Sequence, residues 1–190
     1  MKPERWRLFV AVPVPDEVKT AITKFFGGRA EAARFKAAQT RSLHLTVRFF
    51  GDVPADEVPA LETRLATACH RSAPFKLRAE GLGHFDHRVL WVALHGDVTA
   101  LHRLVTEVTV ETGMFGDHAE KRPFTPHITI GKAAGHFLPR GELESRLAQH
   151  RAPTFGEWRV DQLELIRSVR APGGANYTTP ARLPLGHTPH

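Results

Sequence analysis

Two short apolar stretches of the sequence each contain a histidine followed two positions later by a threonine. They read Leu43-His44-Leu45-Thr46-Val47 and Pro126-His127-Ile128-Thr129-Ile130. Successive side chains of a β-strand point to opposite faces, so each stretch would bury its aliphatic residues and turn its histidine and threonine the other way. We therefore predict that four polar side chains line one cleft: His44, Thr46, His127 and Thr129.

Two histidines and two threonines around one centre are suited to cleaving a phosphodiester. Unperturbed imidazole has a pKa of about 6.5, so one histidine can take a proton from water while the other gives one to the departing alkoxide. Threonine hydroxyls can donate hydrogen bonds to the non-bridging oxygens without adding charge. Such a site acts by positioning and electrostatics, as phosphoryl transfer requires, and it needs no metal ion.

The motif is short, so its meaning depends on where the two copies occur. With 12 histidines in 190 residues, about one His-x-Thr is expected by chance. A solvent-facing strand surface is the ordinary alternative for either copy alone. Both copies, however, lie in an apolar run that follows a predicted strand and helix, and this matched context favours a shared site.

Hydrophobic periodicity predicts the strands and helices that would position the motifs. Strands are predicted at residues 7–13, 43–50, 75–79, 89–94, 124–130, 159–168 and 177–185, and the glycine-marked segment 81–84 is predicted to join two of them. Helices are predicted to begin near residue 15 and to span residues 56–70, 97–112 and 138–150. We expect an α+β protein of two lobes, packed as one domain over residues 1–185, whose motif strands face each other across the cleft. Residues 186–190 are predicted to be a disordered tail.

The composition is that of an ordinary globular domain with a basic surface. Hydrophobic residues make up 42% and charged residues 24% of the chain, and the net charge of +6 is compatible with a polyanionic partner. No apolar run approaches the roughly 20 residues of a membrane span, and the N-terminus has no signal-peptide pattern. Cys69 is the single cysteine, which fits a reducing compartment. We predict a cytoplasmic protein that does not cross a membrane.

Other catalytic chemistries have no matching motif in the sequence. There is no His-Glu-x-x-His, no cysteine pair and no acidic residue within either His-x-Thr motif, so we predict no catalytic metal and no cofactor. Gly-x-Ser-x-Gly and the phosphate-binding glycine loops are also missing. The histidines on predicted loops and helix ends are interpreted as surface residues: His84, His87, His95, His102, His118 and His136.

The motifs and their flanks resemble the two-histidine (2H) phosphoesterase superfamily. Within it, the chain looks like the bacterial and archaeal RNA 2′,3′-cyclic phosphodiesterases, also called LigT-like 2′-5′ RNA ligases. The resemblance is carried by residues 7–13, by residues 43–51, by residues 122–132, and by residues 160–168 with Tyr177. It implies a bilobal α+β fold with two antiparallel sheets, a catalytic set of His44, Thr46, His127 and Thr129, and hydrolysis of an RNA 2′,3′-cyclic phosphate to a 2′-phosphate.

The chain departs from the family pattern on both sides of these motifs. Many relatives carry a tryptophan shortly before the first motif, where this chain has residues 35–40, and many carry arginine after the second, where it has Gly131-Lys132. Lysine keeps the charge of arginine but not its bidentate fork. Three basic side chains are predicted to contact phosphates: Arg48, Arg122 and Lys132. Arg48 is included because strand alternation puts it on the face of His44, and Phe124 is predicted to stack on a terminal base.

Several functions remain open alongside cyclic-phosphate hydrolysis. The same site could join a 2′,3′-cyclic end to a 5′-hydroxyl as a 2′-5′ ligase, or act on a small cyclic phosphate. A non-catalytic RNA-end-binding module is the alternative of another class, but binding alone does not need two proton carriers. The resemblance further implies His127 as the general base and His44 as the general acid. We expect a monomer.

Overall fold

Two antiparallel β-sheets and the helices packed against them make up the part of the chain that the computed structural model describes, which is residues 3–27, 35–117, 123–133, 140–148, 153–172 and 174–186. The strands are β1 (Arg5–Pro13), β2 (Phe35–Ala37), β3 (His44–Pro54), β4 (Phe75–Phe85), β5 (Val89–Gly96), β6 (His127–Ala133), β7 (Thr154–Val160), β8 (Gln162–Ala171) and β9 (Gly174–Pro184). The helices are α1 (Asp16–Phe26), α2 (Val58–His70), α3 (Val98–Thr112) and α4 (Arg140–Ala148).

The two sheets do not correspond to successive halves of the sequence. The first sheet has the strand order β3-β1-β8-β9, and the second has the order β2-β6-β5-β4-β7. The first sheet therefore joins two N-terminal strands to the C-terminal pair, while the second collects the strands between them. Each sheet contains one of the two His-x-Thr strands, β3 in the first and β6 in the second.

One connected hydrophobic core lies under both sheets. Leu8 of the first sheet and Leu77 and Leu90 of the second belong to the same cluster and are at most 1% exposed. Leu101 and Leu104 on one face of α3 are fully buried in it as well. Burying such a side chain contributes about 1.5–3 kcal/mol, so this shared core ties the lobes together. The domain boundary at residue 185 stays a prediction.

Every predicted strand and helix has a counterpart in the structure, but its bounds often differ by a few residues, and three predictions differ in more than their bounds. The single strand predicted over residues 159–168 is wrong, because Asp161 separates β7 of the second sheet from β8 of the first. The predicted connection at residues 81–84 is instead part of β4, where a register shift after Ala79 accommodates the glycines. The short strand β2 was not predicted, and residues 187–190 of the predicted tail lie outside the described residues.

The four helices of the described residues are short, and α1, α2 and α3 each bury apolar side chains. The longest, α3, has 15 residues. Among the described residues, no helix combines the length and the apolar character needed to cross a membrane.

Candidate active site

The two His-x-Thr motifs lie on strands that meet where the two sheets adjoin. β3 is the edge strand of the first sheet, and it contacts β6 of the second. Leu45 and Ile128 are fully buried in the core. The residues that alternate with these aliphatic side chains are half-buried on the opposite strand faces: His44, Thr46, His127 and Thr129.

Each histidine is held by a local hydrogen bond of the same kind. Nδ1 of His44 lies 2.6 Å from the carbonyl oxygen of Ser42, and Nδ1 of His127 lies 2.7 Å from the carbonyl oxygen of Thr125. A carbonyl oxygen can only accept, so Nδ1 donates in each case and the neutral ring keeps the lone pair on Nε2. The two imidazoles therefore present equivalent nitrogen atoms for proton transfer.

The environment makes both imidazoles harder to protonate than free histidine. Burial lowers the pKa of His44, the carbonyl of Ser42 opposes this effect, and the charges of His127 and Lys19 lower the pKa further. Burial likewise lowers the pKa of His127, against the raising effect of the Thr125 carbonyl. The effect of His127 on the pKa of His44 indicates that the two rings share one electrostatic environment.

Aromatic rings from both ends of the chain enclose His44. The Phe9 ring of β1 lies 4.8 Å from the imidazole between centroids. The Tyr177 ring of β9 lies 5.7 Å from it, edge-on. Tyr177 remains 40% exposed, so its free face is open to a ligand. Strand alternation near the motifs did not reveal these two residues, because they come from strands distant in sequence.

A different pair of aromatic rings borders His127. Phe85, at the end of β4, meets the imidazole edge-on at 4.9 Å between ring centroids, and Trp91 of β5 lies 6.2 Å away. Gly83 makes room for the indole, because a Cβ at that position would overlap the Trp91 ring. The glycine segment that the sequence marked as a connection thus shapes one wall of the cleft.

Arg48 turns away from the cleft, contrary to the sequence prediction. The pairing of β3 with β1 skips Val47, which is the extra residue of a β-bulge, and Arg48 lies opposite the buried Val10. A bulge reverses the alternation of faces beyond it. The guanidinium Nη1 of Arg48 accordingly donates to the carbonyl of Thr109 in α3 at 2.9 Å.

Phe49 occupies the cleft face that Arg48 was expected to reach. It pairs with Phe9 across the strands and packs against a small buried cluster formed by Phe9, Ala11 and Ile166. The guanidinium carbon of Arg7 lies 4.6 Å from the centroid of the Phe49 ring. Phe9 and Phe49, called the aromatic floor of the cleft below, are therefore in contact with a basic side chain, that of Arg7.

The remaining predicted binding residues fall in different places. Lys132 is exposed, and it pairs across the second sheet with the exposed Lys36 of β2, so two lysines lie opposite each other on neighbouring strands at the β2 edge of the sheet. Phe124 packs against the main core and meets His102 of α3 edge-on at 5.5 Å, which gives no support to its predicted role as a base-stacking residue. Arg122 lies outside the described residues.

Two further sources of positive charge were not marked by the sequence. Lys19 of α1 is close enough to His44 to lower its pKa, and its side chain is only 17% exposed. A shallow groove of about 330 Å³ lies at the end of β1 and β8 and is lined by Arg5, Arg7, Asp52, Arg167, Ser168, Val169 and Arg170. This groove, called the arginine groove below, is reached from the aromatic floor through Arg7.

Comparison with known proteins gives consistent matches over most of the chain. The sequence profile of the 2′-5′ RNA ligase superfamily matches residues 14–172. The chain is 34% identical over 134 residues to an RNA 2′,3′-cyclic phosphodiesterase of Geobacillus stearothermophilus, which is 68% of this chain and 42% of that relative. It is 31% identical over 185 residues to an RNA 2′,3′-cyclic phosphodiesterase of Thermus thermophilus, with 90% of this chain and 86% of that relative covered.

The fold has solved counterparts as well. The crystal structure of Escherichia coli LigT complexed with 3′-AMP superposes with a TM-score of 0.78 at 25% sequence identity, over 96% of this chain and 99% of that one. The two-sheet α+β architecture of this chain is therefore shared with that protein.

Proposed function

This chain belongs to the 2′-5′ RNA ligase superfamily, and we propose that it hydrolyses the 2′,3′-cyclic phosphate at an RNA end to a 2′-phosphate. One observation carries the proposal. Two histidines on opposed strands are each held through Nδ1 by the carbonyl two residues earlier, so both direct an equivalent Nε2 to the reaction. The curated relatives of Geobacillus and Thermus, named for this activity, support the choice of substrate.

The reaction requires two proton transfers and one displacement at phosphorus. Nε2 of one histidine accepts a proton from water, and the water oxygen forms a bond to phosphorus as the bond from phosphorus to the ribose O3′ breaks. The second histidine gives its Nε2 proton to that departing oxygen. Thr46 and Thr129 donate hydrogen bonds to the non-bridging oxygens, whose negative charge increases in the transition state.

The lowered pKa values suit the base and place a condition on the acid. A neutral imidazole is ready to accept a proton, whereas the acid must hold one despite its burial. The phosphodiester anion stabilises an adjacent imidazolium, so substrate binding favours the protonated form. Cys69 is no alternative nucleophile, because burial raises the pKa of its thiol to about 12.

The surroundings of the cleft support a nucleic-acid substrate. Exposed Tyr177 and half-buried Phe49 offer aromatic surface on which a terminal base can stack. The arginine groove and the Lys36–Lys132 pair offer cations for phosphates further along the strand. We further propose that the protein acts as a cytoplasmic monomer, and light scattering of the purified chain tests its monomeric state.

The direct test is hydrolysis of two substrates, a 2′,3′-cyclic mononucleotide and a short RNA that ends in a 2′,3′-cyclic phosphate. We expect a 2′-phosphate product from both and a loss of turnover in His44→Ala and His127→Ala. His95→Ala, at an exposed position of β5, is the matched control and should keep wild-type turnover. Retained RNA binding with no turnover of either substrate by the wild-type protein would refute hydrolysis and favour the binding module.

Ligation is tested in the same experiment, because the family name includes it. An RNA with a 5′-hydroxyl is added to the cyclic-phosphate RNA, and a joined product resistant to 3′-5′-specific nuclease identifies a 2′-5′ bond. We expect hydrolysis to exceed joining at micromolar RNA, because water is far more concentrated than the 5′-hydroxyl ends that compete with it.

A further inference from the structure

Two histidines and a glutamate come together on the side of the second sheet away from the catalytic cleft. His84 lies near the end of β4, His87 lies in the turn to β5, and Glu144 lies in the middle of α4. The sequence interpretation of His84 and His87 as surface residues is wrong, because their side chains are only 19% and 17% exposed. These three residues are called the His84 cluster below.

The distances within the His84 cluster approach those of a metal coordination shell. Nε2 of His84 lies 3.6 Å from Oε1 of Glu144, and Nε2 of His87 lies 3.8 Å from the same oxygen. The three potential ligand atoms all lie within 4.8 Å of one another. Ligands bound tetrahedrally to zinc at 2.0–2.1 Å are about 3.3 Å apart, so closing the shell needs small side-chain rotations.

The backbone of the turn brings the two imidazoles together at a conformational cost. Asp86 and His87 both have positive φ angles, 48° and 56°, in the left-handed region that residues other than glycine seldom adopt. The result is that the rings of His84 and His87 lie 4.4 Å apart between centroids. Positive φ at both central residues is the usual form of a two-residue type I′ hairpin turn, and Asp and His tolerate it better than most residues, so this cost is small.

The hydrogen bonding of these histidines is incomplete among the residues that the structure describes. Nδ1 of His87 is buried and has no hydrogen-bond partner there. The backbone N–H of His87 approaches Nδ1 of His84 at 3.4 Å, which is a long contact. Coordination of a metal ion by Nε2 of His84 would place the ring proton on Nδ1 and so remove this hydrogen bond. Because the hydrogen bond is long, losing it would cost little.

We propose that the His84 cluster binds one divalent transition-metal ion, with Zn²⁺ as the preferred ion. Two imidazole nitrogens and one carboxylate oxygen form a donor set that zinc prefers, and water can complete the tetrahedron. The ion would join the β4–β5 turn to α4, two elements otherwise distant in sequence. This inference is independent of the proposed hydrolase activity.

The His84 cluster and the catalytic cleft lie on opposite faces of β4. His84 pairs with the buried Leu90 on the side of the core and helices, whereas the adjacent Phe85 contacts His127 in the cleft. The ion is therefore not positioned to contact the substrate. It would instead fix the turn that carries Phe85, and hydrolysis is expected to continue without it.

The test measures Zn²⁺ binding to the full chain, stripped of metal beforehand, by competition with a chromophoric chelator. We expect one equivalent to bind the wild-type protein and the affinity to fall at least about 10-fold in His84→Ala, His87→Ala and Glu144→Gln, since even indirect partners of a metal site matter this much. Of these substitutions, Glu144→Gln is expected to disturb the fold least, because Glu144 is exposed on a helix. His95→Ala and Glu17→Gln, at exposed positions, are the matched controls and should bind as the wild type does.

A second readout separates a built site from scattered surface histidines. Zn²⁺ should slow amide hydrogen exchange in α4 of the wild-type protein but not of Glu144→Gln, because only a bridging ion fastens the helix to the turn. Equal affinity in wild type and all three variants would overturn the proposal. Loss of binding in His44→Ala instead would place the ion in the cleft, and that result would overturn it as well.

Discussion

The division of labour between the two histidines predicts a dependence on the leaving group. If His44 is the general acid, His44→Ala removes the proton that the departing ribose oxygen needs. A ribose hydroxyl is a poor leaving group, so this proton matters greatly, whereas a phenolate departs without one. If His127 is the general base, His127→Ala impairs attack by water whichever group departs.

The expected size of these effects follows from how the rings are held. Each imidazole is aimed by one hydrogen bond, at 2.6 Å for His44 and 2.7 Å for His127, so each acts as a positioned group and its removal costs the full benefit of proton transfer. We expect turnover of the cyclic ester to fall about 10²- to 10⁴-fold in either variant, equivalent to about 3–5 kcal/mol of transition-state stabilisation. On an aryl phosphodiester, His44→Ala should regain most of this loss and His127→Ala should regain little.

The assay compares kcat/KM of both variants on a 2′,3′-cyclic mononucleotide and on a p-nitrophenyl phosphodiester that the wild type accepts. Circular dichroism of each variant checks that the fold is retained, since His44 packs between Phe9 and Tyr177. The opposite pattern would exchange the two roles. Equal losses on both substrates in both variants would refute the assignment of one acid and one base.

Five further predictions concern the same site and the arginine groove beside it. Because burial lowers the pKa of both histidines, the acid of the free protein loses its proton below the ordinary imidazole pKa of about 6.5. The value of kcat/KM should therefore be maximal below that pH and fall as pH rises, and a plateau of kcat/KM that extends above about pH 8 would contradict this. The alkaline limb of kcat should lie at higher pH than that of kcat/KM, because the bound phosphate stabilises the imidazolium. Thr46→Ala and Thr129→Ala should each lower kcat about 10²- to 10³-fold while Thr→Ser is mild, and near wild-type rates in the double Ala variant would deny the hydroxyls a role. Removing divalent ions with EDTA should leave hydrolysis unchanged, and a requirement for added metal would refute the two-histidine mechanism. Arg7→Gln should reduce the salt dependence of RNA binding by about 0.7 in log–log slope, because one phosphate fewer is neutralised, without altering mononucleotide turnover, and an unchanged slope would exclude the arginine groove from RNA binding.

Strand alternation was enough to predict the orientation of the motifs but not of the residues beyond them. The alternation holds from His44 to Thr46 and from His127 to Thr129 because each motif lies within a regular strand segment. It fails at Arg48 because a bulge depends on how β3 pairs with β1, and no local residue pattern announces that pairing. Position in sequence therefore predicts the face of a side chain only as far as the first irregularity in the ladder.

Contacts between distant segments were harder to anticipate, for a related reason. The walls of the cleft come from β1, β4, β5 and β9, and the His84 cluster comes from β4, the turn that follows it and α4. The local sequence around each of these residues does not indicate its role. An aromatic residue in a strand, for example, usually belongs to the core. Their roles depend on the order of the strands in the sheets, and the return of β8 and β9 to the first sheet makes that order differ from the order in the chain.

The symmetry of the two motifs and the asymmetry of their surroundings together explain how one site can contain both an acid and a base. The local hydrogen bonds are alike, so the difference between the two histidines must arise from their neighbours. His44 lies under Phe9 and Tyr177 and near the charge of Lys19, whereas His127 is bordered by Phe85 and Trp91. A phosphate bound beside Lys19 would neutralise the charge that disfavours protonation of His44. Substrate binding can therefore make His44, whose protonation is disfavoured in the free protein, the proton donor of the complex.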